Sequence, residues 1–127
     1  MARKKKILIV EDNAASRKLL AVFLGRAGYE IVEAATGLEG IDQLYAAHPD
    51  LIIMDLELPG ISGAEVTERL RADASTRHIP VLVSTFLDRE SALVKRAITA
   101  GVSKILYKPT PLKVFEAEVL RYLSPDA

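Results

Sequence analysis

The chain contains no cysteine, which excludes disulfides and thiolate metal sites and leaves the redox compartment unspecified. It also lacks net charge: seventeen basic and seventeen acidic residues cancel. That balance, with half of the residues hydrophobic, argues for a globular protein and against a polyanion-binding or disordered one. Nucleic acid is not an expected partner. No apolar run approaches the ~20 residues of a membrane span. Arg3 to Lys6 leads straight into a short apolar segment rather than a signal-peptide core, so the expected location is the cytoplasm, with no membrane partner. The same basic cluster has no interleaved aromatic residue and reads as a solvated lead-in to a strand. There is no solenoid-type repeat and no low-complexity segment. His48 has no second histidine at metal-ligand spacing and reads as a solvated helix-end residue.

With 127 residues the chain is expected to form one domain over 1–127 that is long enough to bury a sizeable core. The stretch LIIMDLELPGISG, from Leu51 to Gly63, organises the rest. Four consecutive apolar residues suit a strand buried on both faces, as in a parallel sheet covered by helices. The run stops at Asp55, and Pro59, Gly60 and Gly63 then turn the chain away from the sheet. A carboxylate there is either a turn residue or part of a site at the carboxyl edge of the sheet, where open α/β sheets bind ligands.

Other strands deliver polar groups to that edge. Ile7 to Val10 is a second buried run and ends in Glu11 and Asp12; Asn13 is placed to cap a helix carrying Leu19, Leu20, Phe23, Leu24 and Ala27 inward, stopped by Gly28. A short strand of Ile31, Val32 and Ala34 precedes a helix capped by Thr36, with Leu38, Ile41, Leu44 and Tyr45 inward and His48 and Pro49 at its end. After the organising stretch, Ser62 or Gly63 opens a helix with Val66 and Leu70 inward and Glu65, Glu68, Arg69 and Arg71 on wet faces. A polar loop, 73–78, leads to a strand from Ile79 to Val83 ending in Ser84 and Thr85. Asp88 is expected to cap the next helix, with Leu93, Ala97 and Ala100 on one stripe, Val94 and Ile98 on a neighbouring one, and Gly101 as its stop. Val102 to Tyr107 is a weaker strand ending in Lys108 and Pro109. The last helix, Leu112 to Leu123, turns Leu112, Phe115, Val119, Tyr122 and Leu123 toward a core, and a short frayed tail, 124–127, follows.

Five strand–helix units in so short a chain imply an α/β fold: a doubly wound five-stranded parallel sheet with five helices distributed over both faces. In the order 2-1-3-4-5, the first and third strands are neighbours from which the chain departs in opposite directions, opening a crevice. Glu11, Asp12 and Asp55 would converge there, with Thr85 and Lys108 beside them. Three carboxylates repel one another unless a cation sits among them, and all-oxygen donors favour Mg²⁺ or a similar hard ion. Such a site suits phosphoryl transfer, with an aspartate nucleophile, a metal and an ammonium to neutralise the phosphoryl oxygens, and a hydroxyl to hold one of them.

The segments ILIVEDN, DLIIMDLELPGISG, IPVLVST and KP, in that order on alternating strand–helix units, resemble the receiver domain of two-component response regulators over essentially the whole chain. The resemblance implies that Asp55 is the phosphoacceptor, Glu11 and Asp12 the acidic pair, Thr85 the switch hydroxyl and Lys108 the conserved-type lysine. It further implies that the backbone carbonyl of Glu57 completes a Mg²⁺ shell and that Lys108–Pro109 is a cis peptide, as proline allows. A histidine kinase or phosphotransfer protein would donate to Asp55, and added charge would draw Thr85 and Lys108 inward to bias the surface around the fourth and fifth strands. The chain would act as a switch and not as a turnover enzyme. Because it stops soon after the last helix, signalling by binding a downstream target protein is expected, as in stand-alone receivers of the chemotaxis and cell-cycle kinds, with the chain a monomer or weak homodimer. Val94, Ile98 and Tyr107 are candidates for such an interface, or for ordinary surface or core.

Two positions depart from the family pattern. Phe86 stands where a small residue usually follows the switch hydroxyl, and its ring is expected to cover the site partly and slow small phosphoryl donors. Ile105 replaces the usual aromatic three residues before the lysine; Tyr107 shares its strand face. Glu57 and Leu87 occupy the variable positions that tune phosphoryl lifetime. Three other readings compete with this one. A haloacid-dehalogenase phosphatase places its nucleophile after the first strand and its acids late, the reverse of this order. An FMN binder needs a phosphate-cradling loop where Glu11, Asp12 and Asn13 stand. A receiver fold that has lost phosphorylation would serve as a constitutive docking module.

Overall fold

In the computed structural model, which describes residues 3–123, strands and helices alternate five times. The strands are β1 (Lys6–Val10), β2 (Glu30–Ala34), β3 (Leu51–Asp55), β4 (Val81–Thr85) and β5 (Lys104–Tyr107). The helices are α1 (Ala14–Arg26), α2 (Gly37–Ala47), α3 (Gly63–Ala72), α4 (Ala92–Ala100) and α5 (Leu112–Tyr122). All strand pairs are parallel and the order is β2-β1-β3-β4-β5, as the sequence implied. The expected tail, 124–127, lies outside the described residues.

Alternation along the strands splits the core into two layers. Leu8, Val10, Ile52, Met54, Val81 and Val83 pack toward α2, α3 and α4 through Leu44, Val66, Leu70, Val94 and Ala97. Ile7, Ile9, Leu51, Ile53, Leu82 and Leu106 pack toward α1 and α5 through Leu20, Leu24, Phe115 and Val119. Truncating a fully enclosed residue such as Leu24 or Leu82 to alanine costs about 2–5 kcal/mol.

Helix starts follow the capping chemistry. Asn13 accepts from the Ser16 N–H, Thr36 from Glu39 and Ser62 from Glu65. At α4 the expected cap is corrected: Ser91, not Asp88, accepts the Leu93 N–H, while Asp88 accepts from Glu90 in the preceding turn. Both residues suit a cap, and Asp88 is consumed by the Asx-type turn that brings the chain to Ser91. His48 ends α2 in the left-handed region at φ 51 and is exposed, and Gly101 ends α4 at φ 101.

Several inward-facing expectations fail, and in α2 the reason is that small residues decide where the helix can approach closely. In α2, Gly37, Gly40 and Leu44 are buried, and a Cβ on Gly40 would stand 3.0 Å from a Val10 methyl. The helix therefore rolls onto its glycine stripe, and Leu38 and Tyr45 turn outward. Leu19 and Tyr122 are likewise exposed. In α4 the buried stripe is Val94 and Ala97, so Val94 is core, whereas Ile98 is 59% exposed.

Arg71, expected on a wet face, is half-buried. Its guanidinium donates to the carbonyl oxygens of Gly101, Arg77 and Ile79, tying the end of α4 to the turn before β4. The turn of 73–79 is closed by Asp73, which accepts from both the N–H and the hydroxyl of Ser75.

Candidate functional site

The sheet order makes β1 and β3 neighbours, and their carboxyl ends carry Glu11 and Asp12 just past one strand and Asp55 at the end of the other. Carboxylate oxygens of all three lie within 4.8 Å of one another, and Asp12 is exposed while Glu11 is buried. Lys108, directly after β5, reaches into this group. Its Nζ donates to Glu11 Oε1 at 2.9 Å and to Asp55 Oδ2 at 3.0 Å. The four residues come from three strand ends far apart in sequence, and only the fold joins them.

Each group is oriented by the local backbone. Asp55 Oδ1 accepts the Glu57 N–H at 3.2 Å, and Glu11 Oε2 accepts the Asn13 N–H at 3.1 Å. The Lys108 N–H donates to the Thr85 carbonyl at 2.7 Å, and the Lys108–Pro109 peptide is cis. Gly63 opens α3 directly beneath the site: a Cβ there would lie 2.6 Å from the Asp55 carbonyl oxygen. Only glycine permits that approach, so the motif's second glycine sets how closely α3 underlies the phosphoacceptor candidate.

One ammonium faces three carboxylates, so the cluster is net negative. Burial pulls the Lys108 pKa down, but the hydrogen bonds that its ammonium donates to Glu11 and Asp55 outweigh it and hold the pKa above the usual lysine value. The donor set is all oxygen, convergent and like-charged, which fits a hard divalent cation.

Thr85 is fully buried at the end of β4, and its Oγ1 accepts the Leu87 N–H at 3.1 Å. The residue paired in register with Asp55 is Ser84, on the adjacent strand. The carboxylates and Lys108 are thus assembled, while the Thr85 hydroxyl is engaged within its own loop. Glu57 is exposed and bonds Asp55 through its backbone.

Sequence reasoning missed one neighbour. Arg17 donates to the Glu11 carbonyl at 2.7 Å and to Glu33 Oε1 at 3.1 Å, bracing β1 from α1. A basic residue one turn into the first helix was the only signal, and its partner on β2 was not readable. The Phe86 ring stands beside the site, its centroid 5.2 Å from Lys108 Nζ, while remaining 73% exposed. Ile98 and Tyr107 lie along a shallow surface at α4 and β5, where the Arg89 guanidinium stacks 5.8 Å from the Tyr107 ring. No described helix is long and apolar enough to cross a membrane.

Comparison with known proteins gives a consistent picture. Residues 7–120 match the family model described as response regulator receiver domain. The polar-differentiation response regulator DivK of Brucella ovis is 37% identical over 119 residues, covering 94% of this chain and 96% of that protein. The chemotaxis response regulator CheY4 of Vibrio cholerae superimposes with a TM-score of 0.87 at 26% identity, covering 95% of this chain and all of that one. The signal receiver domain of a signal transduction histidine kinase from Syntrophus aciditrophicus gives a TM-score of 0.87 at 31% identity, covering 94% and 89% of the two chains.

Proposed function

Because this chain belongs to the response regulator receiver domain family of two-component signalling, whose members are signalling modules and not turnover enzymes, we propose that it is a phosphorylation-dependent switch with Asp55 as phosphoacceptor. The observation that carries this reading is the meeting of Glu11, Asp12, Asp55 and Lys108 at the sheet's switch point. Residues 1–127 act as a single receiver domain, a monomer or weak homodimer in the cytoplasm.

The donor is a histidine kinase or phosphotransfer protein. An Asp55 carboxylate oxygen attacks phosphorus in line, the new O–P bond forms, and the N–P bond to the donor imidazole breaks, its electron pair staying on nitrogen. Glu11, Asp12, Asp55 and the Glu57 carbonyl are the groups that would hold Mg²⁺, which when bound supplies positive charge against the phosphoryl oxygens. Lys108, already on Asp55 Oδ2, stays charged and pairs with another of those oxygens.

Switching then requires Thr85 to leave the Leu87 N–H and turn its hydroxyl to the phosphoryl group, moving the loop that carries Phe86. That rearrangement alters the surface near Ile98 and Tyr107, through which a downstream protein reads the state. The test is chemical. An acyl phosphate on Asp55 is discharged by hydroxylamine, whereas a phosphate ester on Thr85 or Ser84 is not; label that survives hydroxylamine would refute the assignment.

A further inference from the structure

A cavity of about 250 Å³ descends from the carboxyl edge of the sheet between the central strands and helices α1 and α5. Ile53 lies one pleat below Asp55 on β3, and Leu20, Leu112 and Phe115 close the helical side, so most of the wall is apolar. Glu11, Asp55 and Lys108 stand at the rim, with Phe86 beside them.

One buried strand residue of the lining breaks this pattern. Ser84 is 6% exposed, and its Oγ has no hydrogen-bond partner. The residue before it on the same face of β4, Leu82, is aliphatic and fully buried, as are Ile7 and Ile9 on β1. A serine in that layer leaves room that a larger side chain would fill. It also leaves a buried hydroxyl, a group costly to keep unpaired.

We propose that this cavity is a binding site for a small neutral aromatic compound carrying a hydroxyl, a phenol-type ligand, with its ring against Leu20, Ile53 and Phe115 and its oxygen paired with Ser84 Oγ. Size permits it: a cavity of about 150 Å³ lined by Leu, Ile and Phe accepts benzene. Charge selects a neutral ligand. An anion entering would meet Glu11 and Asp55, whose single ammonium is already shared between them, and a cation would lose its hydration against aliphatic walls. Shape and polarity meet at one atom: Ser16 and Thr110 also line the cavity, but Ser84 carries the buried hydroxyl without a hydrogen-bond partner, set among aliphatic strand residues.

The site would not be isolated from the switch. Asp55 and Ser84 are register partners on adjacent strands, so an occupant changes the surroundings of Asp55, and any group on Asp55 changes the occupant's affinity by the same factor. The binding itself requires no phosphoryl chemistry.

The experiment is an NMR titration of the whole chain with phenol, toluene and benzoate, without Mg²⁺ or phosphoryl donor, so its outcome is independent of whether Asp55 is phosphorylated. Saturable phenol-induced shifts at Leu20, Ile53, Ser84 and Phe115 are expected, with phenol at least as tight as toluene and benzoate silent. Ser84→Ala should weaken phenol by roughly tenfold and leave toluene unchanged, while Ser84→Thr should restore phenol binding. Toluene binding more tightly than phenol, benzoate binding as well as phenol, an unaffected Ser84→Ala, or no saturable shift at these residues would each overturn the proposal.

Discussion

Replacing Phe86 by alanine separates access to the site from stability of the fold. Full removal of a buried phenylalanine costs about 3–5 kcal/mol, but this ring is 73% exposed, with roughly a quarter of its surface covered. The packing loss is therefore about 1 kcal/mol. The contact between the ring and Lys108 Nζ at 5.2 Å adds about 0.5–1 kcal/mol at so exposed a place. Unfolding in urea should thus show a loss of no more than about 2 kcal/mol, leaving the domain folded. The rate of phosphorylation by a small donor should rise, because Lys108 is released from the ring and the approach to Asp55 opens. If the ring contact is what must be broken, the gain is about two- to fivefold, the factor corresponding to 0.5–1 kcal/mol. Stopped-flow or quench measurements with phosphoramidate and acetyl phosphate at fixed Mg²⁺ read this directly. Phe86→Leu, which keeps apolar bulk without the aromatic face, should fall between. An unchanged rate in Phe86→Ala would refute the idea that the ring guards the site.

Other consequences follow from the same geometry. Gly63→Ala drives a Cβ to within 2.6 Å of the Asp55 carbonyl, so backbone must move; a loss of about 1–3 kcal/mol in urea unfolding is expected, with reduced phosphorylation at the displaced carboxylate. Arg71→Met leaves the carbonyls of Gly101, Arg77 and Ile79 without their donor and should cost about 2–3 kcal/mol, with Arg71→Lys recovering only part because a lysine cannot span the three acceptors. Lys108 has a raised pKa in the fold, so its stabilisation is fully present below the unfolded lysine value of about 10.4 and is lost as pH rises through the higher folded value. The stability difference between the wild type and Lys108→Met should therefore stay level from neutral to mildly alkaline pH and shrink only in strong alkali. Glu33 is held below the usual carboxylate range, chiefly by the hydrogen bond from Lys18, with burial opposing and Arg17 assisting. Its contribution is present above about pH 4.5 and is lost as pH falls through the lower folded value, so Glu33→Gln should flatten that part of the acid unfolding curve.

Much of this was legible in the sequence, for identifiable reasons. Apolar runs of four residues ending in Asp55 and in Glu11 mark doubly buried strands, and with the alternation of strand and helix they fix the sheet and the edge where the carboxylates meet. Lys108 could be placed at that edge because its strand must lie beyond β4. What escaped depended on contacts between distant segments. The roll of α2 onto Gly37 and Gly40 is set by Val10 and Ile61, which hydrophobic periodicity does not see. Arg71 looked like a solvated charge because its acceptors are carbonyls, which every residue has. The engagement of the Thr85 hydroxyl with Leu87 is a rotamer, which no pattern of residue types encodes.

The central claim is that Asp55 accepts a phosphoryl group in a site built by Glu11, Asp12 and Lys108. Intact mass of the purified chain before and after phosphoramidate, with and without Mg²⁺, alongside Asp55→Asn, tests it most directly. The account predicts a gain of one phosphoryl group, about 80 Da, that requires Mg²⁺ and is absent from Asp55→Asn. The same gain in Asp55→Asn, or no gain in the wild type with phosphoramidate, acetyl phosphate or phosphorylated kinases, would contradict it.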